Sequence, residues 1–248
     1  CDEREQDYLS IDFIEPKKWE RFLNAFMQHL IYRYGRSEVD SWRVEYWFNE
    51  GQWKKSSFAR YFELFDITYQ TIKKYSEGME VGGCGLRLDL DARLRDYFLQ
   101  SWNTEHCRPD FLSVFIYNYE RGKENEDRYA KRSTDDDFTL HHVNNVKEQI
   151  NKLYITEWNF TASVRNYLND SCFGGAYIIK NVLDLYGQLD EMVHYLGTDR
   201  TQQYYDTNEL LFGGAGIITK DGILKPSGFA FDFLNRLYPY YIGHGENY

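Results

Sequence analysis

The sequence predicts an α/β fold, built from βα units around a parallel sheet. Three observations predict it. Apolar residues at helical spacing alternate along the chain with short β-prone runs. Glycines and prolines fall between these stretches as stops and starts. The 248 residues, 42% hydrophobic and 27% charged, suffice for one sizeable core, so residues 1–248 are read as a single domain.

The elements follow in order. Trp19, Phe22, Leu23, Phe26, Leu30, Ile31 and Tyr34 recur at helical spacing over Pro16–Tyr34, with Pro16 in the first turn and Gly35 as the stop. Trp42–Phe48 is short and aromatic, and reads as a strand. A helix over Phe58–Tyr75 stops at Gly78, and a short strand over Glu80–Gly83 ends in glycines. Asp91–Asn103 is helical, and Pro109 precedes a strand over Phe111–Tyr117. Arg121–Asp137 is charged and reads as a long exposed loop. Then come a helix over Phe138–Asn151, a strand over Leu153–Trp158, a helix over Cys172–Tyr186, a strand over Met192–Leu196 and a helix over Ser227–Leu237. That makes five strands and six helices. A closed (β/α)₈ barrel needs eight strands in about 250 residues, so the length fits and the strand count does not.

Composition narrows the function. A formal net charge of -10 and a sequence pI near 5.1 argue against nucleic-acid binding by this segment. The 22 Tyr, 17 Phe and 6 Trp read first as a large core with amphipathic rims, and second as stacking surfaces for sugars or bases. No apolar run approaches the roughly 18 residues of a membrane helix, and no charged-then-apolar leader opens the chain. The start at Cys1 suggests a cut N-terminus, and a cytoplasmic location is expected. Cys1, Cys84, Cys107 and Cys172 form no CxxC pair and have no His at ligand spacing, so reduced buried thiols are expected and no metal or cofactor. Asn159-Phe160-Thr161 is read as a chance sequon, and His141-His142 as exposed. Gly82-Gly83 and Gly213-Gly214 read as tight turns.

Two strands end in carboxylates, Glu50 after the first and Glu157 in the fourth. Side chains at the C-terminal strand ends of a parallel barrel face its active site. Two carboxylates about 5 Å apart there serve a retaining glycosidase as acid/base and nucleophile. A carboxylate after a strand equally suits a helix N-cap or a solvated loop.

A resemblance is carried by Arg33-Tyr34-Gly35, Glu38-Val39 and Ser41-Trp42 through Glu50. This stretch resembles the "RYG..EV..W.FEVWNEP" run of glycoside hydrolase family 39, which includes xylosidases and iduronidases. Val81-Gly82-Gly83, Thr156-Glu157-Trp158-Asn159 and the run Gly213–Thr219 with Gly222–Pro226 look like later segments of that family in the right order. The resemblance implies a (β/α)₈ TIM-type barrel. It places the first strand here at the family's fourth and Met192–Leu196 at its eighth. The chain is then a partial barrel of strands four to eight, truncated at both ends. Its two open edges are expected to be covered by another chain, by a swapped partner (a homo-oligomer) or by rearranged termini.

The departures bear on function. The family's Trp-Asn-Glu-Pro stands against Trp47-Phe48-Asn49-Glu50, so without a gap the acid/base falls on Asn49. Glu45, Trp47 and Asn49 share one strand face, and Glu50 lies on the other with Tyr46 and Phe48. Glu50 reaches the catalytic place only through a one-residue bulge. The family's His-Pro-Tyr stands against Phe115-Ile116-Tyr117, its Tyr-Trp..Ser-Asp against His194-Tyr195 and Thr198-Asp199, and a histidine against Phe212, whereas Glu157 and Trp158 stay. The run Arg165–Cys172, Tyr204-Tyr205-Asp206 and "GG.G.ITKDGI.KP" look more like the family-39-like barrels found C-terminal in AraC-type transcription regulators.

Three readings follow. The first is a catalytically degraded, carbohydrate-sensing domain of such a regulator. Glu157, Trp47, Asn49, Tyr117, Trp158, Tyr195 and Asp199 would hold a sugar or oligosaccharide, and DNA would be read only by a separate domain. The second is an active retaining β-glycosidase, β-xylosidase-like, with Glu50 as acid/base and Glu157 as nucleophile. The third is a barrel kept only for dimerisation or docking. None involves a membrane.

Overall fold

The computed structural model describes residues 14–48, 55–88, 92–120, 131–150, 152–201 and 207–238. Among them the chain runs α1 (Pro16–Tyr34), the single turn α2 (Arg36–Val39), β1 (Arg43–Trp47), α3 (Lys55–Tyr75), β2 (Glu80–Arg87), α4 (Ala92–Glu105) and β3 (Leu112–Tyr117). It continues through β4 (Tyr119–Glu120), β5 (Lys131–Arg132), α5 (Phe138–Lys147), β6 (Leu153–Asn159), α6 (Cys172–Asp184), β7 (Glu191–His194) and α7 (Pro226–Asn235), with 3₁₀ turns at Tyr167–Asp170 and Asp199–Thr201. Five strands form one sheet in the order β1-β2-β3-β6-β7, with β1–β2 and β2–β3 parallel. Sheet order therefore follows chain order, with helices between successive members, as repeated βα units require. Where the sequence was read as one domain, contacts divide the chain into two units. The first holds residues 1–116, 141–158 and 189–193, and the second holds 117–140, 159–188 and 194–248.

In the first unit, Pro16 opens α1, and Leu23, Met27 and Leu30 recur at i, i+4, i+7 as its buried face. Gly35 ends it with φ 84°, a conformation that favours glycine. β1 alternates as expected. Tyr46 and Phe48 are buried, and the Phe48 ring lies 4.7 Å from Tyr61 and 5.9 Å from Phe58 on α3. Phe62, Phe65, Phe98 and Trp102 extend this aromatic layer, with Phe65 and Trp102 edge-on at 4.7 Å. Much of the aromatic excess is therefore core.

β2 runs four residues past the expected Gly83, to Arg87. Its glycines are strand residues, not a turn, and each makes room for a neighbour. A Cβ on Gly82 would meet the Phe111 carbonyl at 2.3 Å, one on Gly83 would meet the Tyr61 hydroxyl at 2.7 Å, and one on Gly85 would meet the Trp47 ring at 2.3 Å. Glycine thus signals close approach here, not chain reversal.

In the second unit, Tyr119–Glu120 pairs antiparallel with Lys131–Arg132, so the expected long loop is partly a hairpin whose residues 121–130 lie outside the described set. Ser171 caps α6 by accepting from the Phe173 N–H at 3.2 Å. Gly175 of α6 packs against Pro226 of α7, with 2.9 Å from an added Cβ to the Pro226 carbonyl. Cys84 is buried as expected, Cys107 is half-buried, and Cys172 at the start of α6 is exposed, contrary to the expectation of buried thiols. Among the described residues no helix is long and apolar enough to cross a membrane.

Candidate functional site

The inner row of β1 is the starting point. With Tyr46 and Phe48 turned into the helix layer, Arg43, Glu45 and Trp47 occupy the opposite face. The Trp47 indole covers Gly85, stacks on Phe115 at 5.8 Å and 21°, and keeps 42% of its surface exposed. It is an accessible flat apolar surface of the kind that sugar rings stack on.

Glu45 lies in a groove of about 570 Å³ also lined by Ser41, Trp42, Arg43, Tyr154 and Thr156. Burial pushes its carboxyl above the usual carboxylate range, hydrogen bonds from Ser113 and Thr156 oppose this, and the Glu157 charge adds to the rise. Glu157 on β6 and Glu45 on β1 are carboxyls of the same unit. Below them Arg43 pairs with Glu191 at 2.6 Å and Glu80 at 3.3 Å, and Lys152 also pairs with Glu80. Lys152, the Tyr154 hydroxyl and Arg43 outweigh desolvation and hold the Glu80 carboxyl below its ordinary value.

The sequence candidates fall as follows. Glu157, Trp47 and Trp158 belong to the first unit, with Glu157 half-buried; Trp158 is a correction, since it was expected to stack on a sugar but is 1% exposed and part of the core. Asn49 and Glu50 lie outside the described residues. Tyr117 and Tyr195 belong to the second unit and meet edge-on at 6.0 Å. Asp199 is a correction. It was expected among the ligand contacts, but it is 0% exposed, with Oδ2 2.7 Å from Lys225 Nζ and Oδ1 accepting from the Gly216 N–H at 2.8 Å. Both oxygens are committed to the fold. Sequence reasoning missed Ser113 and Thr156, which act on Glu45 from β3 and β6. Only strand pairing brings them there, and no local motif marks it.

Residues 5–242 match the model of glycosyl hydrolases family 39. The chain belongs to that family. It is 26% identical over 234 residues to a β-xylosidase of Geobacillus stearothermophilus, and 29% identical over 234 residues to one of Caldicellulosiruptor saccharolyticus. These alignments cover 89% of this chain and 46% of each relative. Among solved structures it resembles a monomeric β-xylosidase from Caulobacter crescentus CB15, with TM-score 0.75, 29% identity, and coverage of 90% of this chain and 47% of that one. The family 39 enzyme from Xanthomonas axonopodis pv. citri gives TM-score 0.75 and 27% identity, covering 90% of this chain and 46% of that one. The chain thus spans about half the length of these family 39 relatives, and its five-stranded sheet is a partial barrel of their type.

Proposed function

We propose that this family 39 chain is a carbohydrate-recognising barrel segment that has lost its proton donor and serves a regulatory role. The regulator is of the AraC type, with DNA read by a separate domain. One observation carries the loss of the donor. The β1 alternation puts Glu45 and Trp47 on the inner face and Tyr46 and Phe48 against α3. Asn49 and Glu50 lie outside the described residues, and it is the strand parity read from the sequence, with the gap-free match to the family's Trp-Asn-Glu-Pro, that supports Asn49 at the donor position. An asparagine cannot protonate a leaving group, and such help is worth about 10²–10⁴-fold. In this reading Trp47 supplies the stacking face. Glu157 accepts sugar hydroxyls, and Asn49 both donates and accepts.

Isothermal titration of the folded protein with xylose and xylo-oligosaccharides tests it. Binding that Trp47→Ala weakens at least tenfold is expected, and no binding at millimolar sugar would overturn the proposal. The second reading, a retaining β-glycosidase using Glu50 and Glu157, is favoured by the β-xylosidase relatives. Turnover of aryl β-xylosides that Glu157→Gln abolishes would establish it instead.

A further inference from the structure

We propose that the groove beside Glu45, at the amino-terminal ends of the strands, is a binding site for a small organic cation bearing a primary ammonium group. Glu45 is the counter-charge of that cation, and Phe111 and Tyr154 are the floor under it.

The lining residues fix where this groove lies. Ser41, Arg43, Phe111, Tyr154 and Glu191 stand at or next to the starts of β1, β3, β6 and β7, and all belong to the first unit. Trp47 closes β1 at the other end, where a barrel of this type keeps its catalytic carboxylates. A sugar stacked on Trp47 therefore has a different seat. The groove's volume of about 570 Å³ falls within the roughly 300–1,000 Å³ of small-molecule pockets. Three of its lining residues are charged. Arg43 and Glu191 pair with each other at 2.6 Å, and Arg43 also reaches Glu80 at 3.3 Å. Glu45 pairs with no cation among the described residues, and its Oε1 is inaccessible to water and accepts no hydrogen bond there. Ser113 and Thr156 hydrogen-bond to this carboxyl, but their hydroxyls are neutral.

The floor favours a cation as well. Phe111 and Tyr154 are 2% and 4% exposed, with their rings 4.7 Å apart. An apolar floor lowers the local dielectric and strengthens a charge pair laid over it. The Arg43 guanidinium already lies 4.9 Å from the centre of the Tyr154 ring, so this floor holds one cation by its aromatic face. Trp42, half-buried, adds a third aromatic wall. An ammonium supplies what Glu45 lacks, a positive charge and up to three donors. The terminal torsion of a glutamate is broad, so a small turn of the carboxyl presents Oε1 to it. An anion would meet Glu45 and Glu191 together, and a neutral polyol would leave Glu45 without a counter-charge.

The test titrates the folded chain at neutral pH with n-butylammonium, and with n-butanol as its neutral match, and follows the backbone amides by NMR. Saturable binding with a millimolar Kd is expected for the ammonium, centred on the amides of Arg43, Glu45, Tyr154 and Glu191, with the alcohol at least about tenfold weaker. Glu45→Gln keeps the shape and removes the charge, and should weaken the ammonium at least about tenfold. Tyr154→Leu removes the aromatic floor and should weaken it at least about threefold, which keeps the test open if the glutamine variant fails to fold. Trp47→Ala should change this binding less than about twofold, so its outcome is independent of sugar binding at Trp47. No saturable shift at tens of millimolar ammonium would overturn the proposal. So would equal binding of the alcohol, an affinity that neither Glu45→Gln nor Tyr154→Leu lowers, or shifts centred on Trp47 and Glu157 instead.

Discussion

Lys225→Met should cost the second unit about 3–5 kcal/mol. The Lys225 side chain is 0% exposed, and its ammonium lies 2.7 Å from Asp170 Oδ1 and 2.7 Å from Asp199 Oδ2. It also donates to the Gly214 carbonyl at 2.8 Å. The other carboxylate oxygens accept from the Gly213 N–H at 2.6 Å and the Gly216 N–H at 2.8 Å. The ion cluster therefore ties the 3₁₀ turn at Tyr167–Asp170, the segment after β7 and the Gly213–Gly216 run to the start of α7. Methionine keeps nearly the same length and removes the charge, which leaves two buried carboxylates facing each other with no cation between them. That is the costly way to break a buried pair, and a loss of this size is a large part of an ordinary total stability of about 5–15 kcal/mol. Removing all three charges at once, as Asp170→Asn/Asp199→Asn/Lys225→Met, should restore at least half of it. The described tryptophans all lie in the first unit, so their fluorescence would miss the event. Urea unfolding should be followed by far-UV circular dichroism and by hydrogen exchange across residues 195–225. A single-variant cost under about 1 kcal/mol would refute the reasoning, as would a triple variant no better than the single one.

His194 is held down to about pKa 4 by burial, against an ordinary 6.5. The unfolded chain takes up a proton between those values and the folded chain does not, so stability is full above pH 6.5 and falls as pH drops towards 4. The gap corresponds to roughly 2–3 kcal/mol after allowance for partial exposure, and the ratio of His194→Gln to the parent protein across that window measures it. Glu45 has the opposite sense. Its raised pKa means the folded carboxyl keeps a proton that the unfolded one releases, so its ionisation works against the fold as pH rises. Glu45→Gln should therefore raise the urea midpoint more at pH 7.5 than at pH 4, and an equal shift at both would refute the coupling. Gly82→Ala should cost about 3 kcal/mol because its Cβ meets the Phe111 carbonyl, whereas Gly197→Ala, with nothing within 4 Å, should stay within about 0.5 kcal/mol by thermal melting.

Much of the fold was legible because periodicity and packing agree. The α1 helix itself and the alternation of Tyr46 and Phe48 are as read, but of the seven apolar positions of α1 only Leu23 and Leu30 are buried, with Met27, while Phe22, Phe26 and Tyr34 stay exposed. The readings that failed needed information at long range. Gly82 and Gly83 look like a turn locally, yet their purpose is set by Phe111 and Tyr61, which approach from other elements. Asp199 looked like a ligand group because Thr198-Asp199 stands against the Ser-Asp of the family's eighth strand. Only the arrival of Lys225, 26 positions later in the chain, makes it structural. Lys225-Pro226 itself reads simply as a helix start. The Tyr119–Arg132 hairpin is hidden because charge suggests a loop, and two-residue strands leave no period to detect.

Fold and chemistry rest on different faces of the same strand. On β1 the outer residues Tyr46 and Phe48 belong to the aromatic layer with Phe58 and Tyr61, and truncating Phe48 there would cost on the order of 3–5 kcal/mol. The inner residues Arg43, Glu45 and Trp47 are half-buried or exposed, so exchanges among them change charge and hydrogen bonding more than packing. A single substitution on the inner row can therefore remove a proton donor and leave the barrel segment folded. A one-residue slip of β1 would instead carry the whole aromatic set out of the helix layer. For that reason a register shift that rescues Glu50 as an inward acid is opposed by the packing of Phe48 against Phe58 and Tyr61.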